Sequence, residues 1–408
     1  MAIKGPLTGV KVLDLTQAHA GPFGSQILGD MGAEVIKIES PEGDMIRMAP
    51  PWHDNNPALS YYAMALNRNK KCIVLDMFTK SGKEALYDLV KVSDVVFDNY
   101  RCGSMERLGA DYETLKKINP KIISCSISGY GSSGPYALQP SFDDIAQAMS
   151  GMAGLCGEPG GKPMRSGGAV SDISSGIYAV LGIVIALYER EHTGKGRKVE
   201  VNLLDATMSL LANHFQNYFI SGNAPPPQGS VHPILPTLGY FKTRNGYIAL
   251  GPSWPRLARV INKDWMMDDP RFKDIFAQIS HHKEFVEEVE GALKEADSED
   301  WVELMRVEDI PCGPINTLDK VVEDPQVIHN ETVISMEHPQ YGKARAIACP
   351  IKMIDGIEGE NTPTPLVGEH TEEVLRGLLG YSDDKMEVLK KEQEEHAEEL
   401  SAHLHKLA

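Results

Sequence analysis

The 408-residue sequence predicts an α/β fold, a parallel, doubly wound sheet followed by a smaller α+β domain. Three observations carry this reading. Short β-branched runs alternate with amphipathic helical segments through residues 10–203. Gly222-Asn-Ala-Pro-Pro-Pro-Gln-Gly229 then breaks the pattern, since three consecutive prolines forbid a helix and favour extended chain. Beyond it, two apolar runs flank Arg244-Asn-Gly246, a hairpin signal.

Residues 10–15 read as a strand, 23–30 as a helix opened by Gly21-Pro22, and 34–39 as the next strand, together a βαβ unit. Strand 72–75, helix 83–92, strand 94–97, helix 112–118 and the β-branched run 121–127 continue the pattern. Glu200-Val-Asn-Leu203 adds a strand after the turn Thr193-Gly-Lys-Gly-Arg197. Alternation at this spacing implies parallel strands, because each helical crossover returns the chain to the same end of the sheet. In the second domain, residues 240–243 and 247–250 form the hairpin arms, and helices near 285–296 and 300–305 carry the chain to about Thr317. From residue 389 to the end, Leu389, His396, Leu400, Leu404 and Leu407 line one side of an otherwise charged helix. A solvated terminal helix is expected there, with packing against a second copy as the alternative.

Composition narrows the function. Forty Lys+Arg against 57 Asp+Glu leave a formal charge of −17, which would repel a polyanionic backbone, so nucleic acid is not an expected partner. Hydrophobic content of 42% and charged content of 24% are those of a globular chain. Six cysteines without a CxxC pair fit a reduced cytosol and supply no zinc or disulfide framework. The amino terminus lacks the apolar core of a signal peptide, and the longest apolar candidate, residues 177–188, falls short of the ~18 residues of a membrane span. A cytoplasmic protein without a membrane partner is the expectation.

Three familiar chemistries are poorly served by the motifs. The first βα turn, Ala20-Gly-Pro-Phe-Gly24, lacks the middle glycine of a dinucleotide fingerprint, and Pro22 removes an N–H from it. The amino terminus of that helix still offers N–H groups to an anion. Gly131-Ser-Ser-Gly134 is one residue short of a nucleophile elbow and runs into Pro135. His281-His282 and His403-x-His405 have no acids at metal-ligand spacing, so no metal is expected. The most informative stretch is 164–187, where a small-residue loop leads into a long apolar helix with one carboxylate, Asp172, at its opening. Spacing alone favours Asp172 as an N-cap. The helix dipole in the same setting would stabilise its ionised form, and a charged carboxylate among small residues is an accessible nucleophile.

Gly9-Val-Lys-Val-Leu-Asp-Leu15, His19-Ala-Gly-Pro22, the segment 28–39, Asn99, Ser128-Gly-Tyr-Gly131, Thr193-Gly-Lys-Gly196 and Gly368-Glu-His-Thr-Glu-Glu-Val-Leu375 together resemble the family III coenzyme A transferases. That group includes formyl-CoA, carnitine and bile-acid CoA-transferases. The resemblance implies a Rossmann-like large domain built from both chain ends, a small domain inserted between two linkers, and an interlocked homodimer. On that plan the large domain takes residues 1–221 and 346–382, linkers 222–236 and 318–345 flank a small domain over 237–317, and 383–408 form a charged helical tail.

The implied activity moves coenzyme A from an acyl-CoA donor to a carboxylic acid acceptor, coenzyme A being a co-substrate and no cofactor being permanently bound. Ser171-Asp172-x-Ser-Ser-Gly176 matches the family's active-site aspartate motif. The resemblance therefore makes Asp172 the nucleophile of mixed-anhydride and aspartyl-CoA thioester intermediates, with Ser171, Ser174, Ser175 and Gly176 leaving room around it. It implies coenzyme A contacts at His19, Ala20, Ser40, Leu75, Asn99, Tyr100 and Arg107, the last meeting a phosphate, and a catalytic part for His19. Two positions depart from the formyl-CoA transferases: His19 replaces a glutamine, and Leu250-Gly-Pro-Ser-Trp254 replaces a glycine run, leaving a formyl-CoA/oxalate specificity open. A related α-methylacyl-CoA racemase branch carries Gly-His-Asp where this chain has Ser141-Phe142-Asp143, which removes one of the two bases racemisation needs.

Overall fold

The computed structural model describes residues 3–53, 59–354 and 356–407. Two compact units are present. The first comprises Met1–Ser150, Gly167–Leu210 and His329–Ala408, the second Gly151–Ser166 and Leu211–Ile328. This division differs from the expected one: residues 151–166 and 211–221 belong to the second unit and 329–345 to the first. The proline run marks an extended path rather than the point where packing partners change.

In the first unit, β1 (Lys11–Asp14), β2 (Glu34–Glu39), β3 (Lys70–Val74), β4 (Val95–Asp98), β5 (Ile123–Ser128) and β6 (Lys198–Asn202) form one sheet in the order β3-β2-β1-β4-β5-β6. All neighbours are parallel, with Val12 opposite both Val35 and Val95. Alternation along β1 sends Leu13 into one core, with Ile36, Ile73 and Leu86, and Val12 into the other, with Val35, Phe97 and Ile183. A sheet buried on both faces reads as a run of β-branched residues, which is why these strands were legible. β3 starts earlier than the apolar signal suggests, at Lys70, a buried lysine at the strand's amino end whose ammonium is held by Asp14 at 3.1 Å. Between β1 and β4 the chain order reverses, and there the carboxyl ends of the strands leave a crevice.

The second unit holds an antiparallel sheet of β7 (Gly239–Lys242), β8 (Tyr247–Leu250) and β9 (Cys312–Pro314), packed with helices His282–Leu293 and Ser298–Val307 around Phe241, Phe272, Phe285 and Trp301. Here the hairpin and both helices lie where the pattern puts them. The expected return linker instead contains a hairpin, β10 (Val333–His338) and β11 (Gly342–Ile347).

Two further expectations need correction. The terminal helix, Asp383–Leu407, is not merely solvated: Leu389 is 3% exposed in the core of the first unit, and His396 Nδ1 meets Asp76 Oδ2 at 2.5 Å. Leu400 is exposed, and the side chains of Leu404 and Leu407 lie outside the described residues. The Val170–Thr193 helix is also long and apolar enough to cross a membrane by length and composition. Its Ala179, Ile183, Ala186 and Leu187 are nevertheless buried in the sheet-side core, as in the core helix of a soluble domain.

Beneath the carboxyl ends of β1–β3 lies a buried charge network. Asp14 accepts hydrogen bonds from the Thr16 backbone at 3.0 Å and from the Thr16 and Ser25 hydroxyls at 2.5 Å, besides pairing with Lys70. Burial would raise its carboxyl, but Lys70 and Lys37 hold it down to about 2. Removing Asp14 by Asp14→Ala leaves the buried Lys70 ammonium without its carboxylate, Lys37 keeping Asp44, and is expected to cost about 3–5 kcal/mol. A urea denaturation midpoint equal to that of the parent would contradict this.

Candidate active site

The crevice at the strand-order reversal has a volume of about 490 Å³ and is lined by residues following β1 (Gln17, Ala18, His19, Ala20), β4 (Asn99, Tyr100, Arg101, Cys102) and β5 (Gly129), and by Phe142 and Asp172. A cavity of about 580 Å³ lies at the amino ends of β2 and β3, lined by Glu34, Glu369 and His370, but neither Asp172 nor any expected coenzyme A contact lines it. Open α/β sheets bind ligands at the carboxyl ends, which favours the smaller crevice.

The loop after β1 is held from two sides. Asn99 Oδ1 accepts the Gln17 N–H at 2.8 Å while its Nδ2 donates to the Gln17 carbonyl at 2.7 Å, so this side chain bridges the two loops that bound the crevice. Asp44 Oδ1 accepts the Ala18 N–H at 3.2 Å, and Ala18 sits at φ 60°, a left-handed conformation that an alanine adopts only when its surroundings impose it. The consequence is the placement of His19 at the cap position of the Ala20–Asp30 helix. Its ring lies edge-on to Tyr62 at 5.5 Å, and its buried Nδ1 has no partner among the described residues. Burial lowers the imidazole below its ordinary value, with Asp143 pulling the other way, so His19 is neutral at pH 7 and offers the crevice a donor or acceptor.

Asp172 stands in the first turn of the Val170–Thr193 helix. Its carboxylate does not cap that helix. The N–H groups of Ser171 and Asp172 are accepted instead by Asp143 Oδ1, at 2.8 and 3.2 Å. Nor does the site favour the ionised form: burial, then the negative charges of Asp143 and Asp144, push the Asp172 carboxyl up to about 7. The small residues around it serve packing. Ser174 and Ser175 donate to the Ser171 carbonyl at 3.1 and 2.7 Å, and Thr207 donates to the Ser171 hydroxyl at 2.7 Å. A Cβ on Gly176 would stand 2.6 Å from the Ala20 carbonyl oxygen, so glycine lets the Asp172 helix press against the His19 helix.

The other expected contacts divide. His19, Ala20, Asn99 and Tyr100 line the crevice. Ser40, half-buried, does not, and Leu75 is 1% exposed within the core, leaving its side chain nothing to offer a ligand. Arg107 is exposed, donates to Ser104 at 2.9 Å and stands off the crevice wall. Among the described residues, the cation that does line the crevice is Arg101, missed because Tyr-Arg-Cys after a strand carries no local signal. Asp143 was missed as a cap because its partners are 28 and 29 residues away.

Residues 7–371 match the family described as CoA-transferase family III. The chain belongs to this family. Human succinyl-CoA:glutarate CoA-transferase is 35% identical over 384 residues, covering 93% of this chain and 87% of that one. Formyl-CoA:oxalate CoA-transferase of Streptomyces coelicolor is 32% identical, covering 94% and 98%. A CAIB/BAIF family protein from Brucella suis, solved by crystallography, superposes with a TM-score of 0.84 at 34% identity, over 92% of this chain and 100% of that one. As a family III CoA-transferase, the enzyme passes coenzyme A, its co-substrate, between an acyl-CoA thioester and a carboxylic acid. At position 142 this transferase presents Phe142 to the crevice, not the imidazole that proton exchange at an α-carbon would use.

The raised carboxyl has a measurable sign. In the unfolded chain Asp172 ionises near its ordinary value, so folding increasingly opposes its ionisation as pH rises from about 4 to about 7. Asp172→Asn removes that opposition, and its effect on stability is expected to be more favourable at pH 8 than at pH 5 by roughly 2–3 kcal/mol. Equal urea midpoint shifts at the two pH values would show that Asp172 is not perturbed.

Proposed function

We propose that the transferase works by covalent catalysis at Asp172, in the crevice at the carboxyl ends of β1, β4 and β5. The observation that carries this reading is a carboxylate that lines the crevice while another residue caps its helix. An Asp172 oxygen attacks the thioester carbonyl, the carbon–sulfur bond breaks, and coenzyme A leaves as thiolate, giving a mixed anhydride. The thiolate then attacks the Asp172 carbonyl carbon and expels the donor acid as carboxylate, leaving an aspartyl-CoA thioester. An acceptor carboxylate attacks that thioester and the two steps run in reverse, restoring Asp172. One thioester replaces another with no net proton change, so neither ATP nor a metal is required.

What this chain supplies is orientation and support for developing oxyanions. Ala20 and the opening of its helix, with neutral His19, provide N–H groups near the reacting carbonyl. Arg101 provides a cation for the anionic substrates, and Asn99 keeps the two crevice loops in register. The acceptors named for the relatives, glutarate and oxalate, are dicarboxylic acids, which supports this class as acceptor.

We also infer that a second copy covers the outer face of the Val170–Thr193 helix. Ile177, Leu181, Ile185 and Tyr188 stand exposed there at helical spacing, a stripe that water would not favour.

Asp172→Ala is expected to bind coenzyme A yet lower transfer on the order of 10⁴-fold and form no covalent adduct. Intact-mass spectrometry with succinyl-CoA, offered glutarate, oxalate or formate as acceptor, reads both adduct and exchanged product, and unchanged transfer would sink the assignment. For the outer face, light scattering is expected to give twice the chain mass for the parent and the single-chain mass for Leu181→Asp; a parent of single-chain mass rejects the pairing.

A further inference from the structure

The helix that carries Asp172 is capped by a residue from another helix. Asp143 opens the helix Asp143–Met149, and its Oδ1 accepts the N–H groups of both Ser171 and Asp172, while its Oδ2 accepts an amide N–H from Gln147 at 2.5 Å. Gln147 and Ser171 are buried, so this carboxylate is tied at both oxygens inside the fold. The first-turn N–H groups of a helix attract the nearest carboxylate, and an aspartate in that turn is well placed to answer them. With Asp143 already there, Asp172 makes no such contact among the described residues and lines the crevice wall.

We propose that Asp143 is a positioning residue of the transfer reaction: by capping the Asp172 helix from outside, it keeps the Asp172 carboxylate free for attack and sets a negative charge beside it. The inference rests on Asp172 being the nucleophile. Asp143 and Asp144, from the neighbouring helix, are the charged groups that act on Asp172, while His19 from the end of the β1 loop and Arg101 from the β4 loop line the same crevice. Burial first, then the carboxylates of Asp143 and Asp144, push the Asp172 carboxyl upward. A carboxylate made more basic by its neighbours is the stronger nucleophile once ionised.

Two variants of the full chain separate charge from capping. Asp143→Asn keeps an oxygen to accept both N–H groups and deletes the charge, its new Nδ2 donating to the Gln147 amide oxygen once that amide turns over. With the donor–acceptor pair that exchanges fastest in the panel above, the acid midpoint of kcat/KM is expected to fall by about one pH unit, the melting temperature staying near the parent's. Asp143→Ala deletes the cap as well, and kcat and the rate of adduct formation are both expected to drop about tenfold, with KM for the acyl-CoA little changed. An Asp143→Asn midpoint that does not move, or Asp143→Ala forming adduct at the parent's rate, overturns the proposal. Absence of any Asp172 adduct in the parent enzyme overturns the nucleophile assignment instead, so the two failures are distinct.

Discussion

A carboxylate with no access to water, Asp14 at the end of β1, is the constraint on which the crevice depends. It is balanced by Lys70 at 3.1 Å, and Lys37 beside it reaches the Thr16 carbonyl at 2.7 Å and Asp44 at 3.1 Å. Asp44 in turn accepts the Ala18 N–H, and Glu39 anchors Arg47. Ions buried to this degree cost several kcal/mol each unless geometry returns the energy, so such a network tolerates few arrangements. Its contribution is therefore best understood as specificity: the five residues from β1 to His19 have one path, and that path ends with His19 and Ala20 at the crevice.

The second determinant is contact between two helices. Gly24 and Gly176 face each other closely, a Cβ on Gly24 falling 3.1 Å from the Gly176 carbonyl oxygen. Because the interior is packed as densely as a crystal, that approach sets where the opening turns of both helices lie. His19 opens one and Asp172 opens the other, so backbone packing brings a neutral imidazole and a perturbed carboxyl to one crevice. Lowered His19 and raised Asp172 share a cause in burial, and both shifts favour uncharged forms near neutrality. A site of that kind suits the exchange of anionic acids, since the protein's net charge of −17 gives no general attraction and a few local groups must do the binding.

The parallel sheet was legible because strands buried on both faces write their burial into consecutive residues, as in Val-Ile-Lys-Ile along β2. The hairpin at Arg244-Asn-Gly246 was legible because turn chemistry is local. Burial of Lys37 and Lys70 was not, since a lysine in a strand signals solvent until its partner, 7 or 56 residues away, is known. The terminal helix was misjudged for the same reason: Leu389 and His396 look like a sparse stripe until Asp76 supplies the surface they dock on.

At the site, contiguous motifs carry the family, the candidate carboxylate Asp172 and the histidine beside the same crevice. Through-space contacts alone reveal that Asp143 caps the Asp172 helix, that Asn99 bridges loops 82 residues apart, that Leu75 is core and that Arg101 rather than Arg107 lines the crevice. The difference is one of range. Periodicity and turn chemistry act over a few residues and are written along the chain, whereas desolvation and capping from another helix act through space.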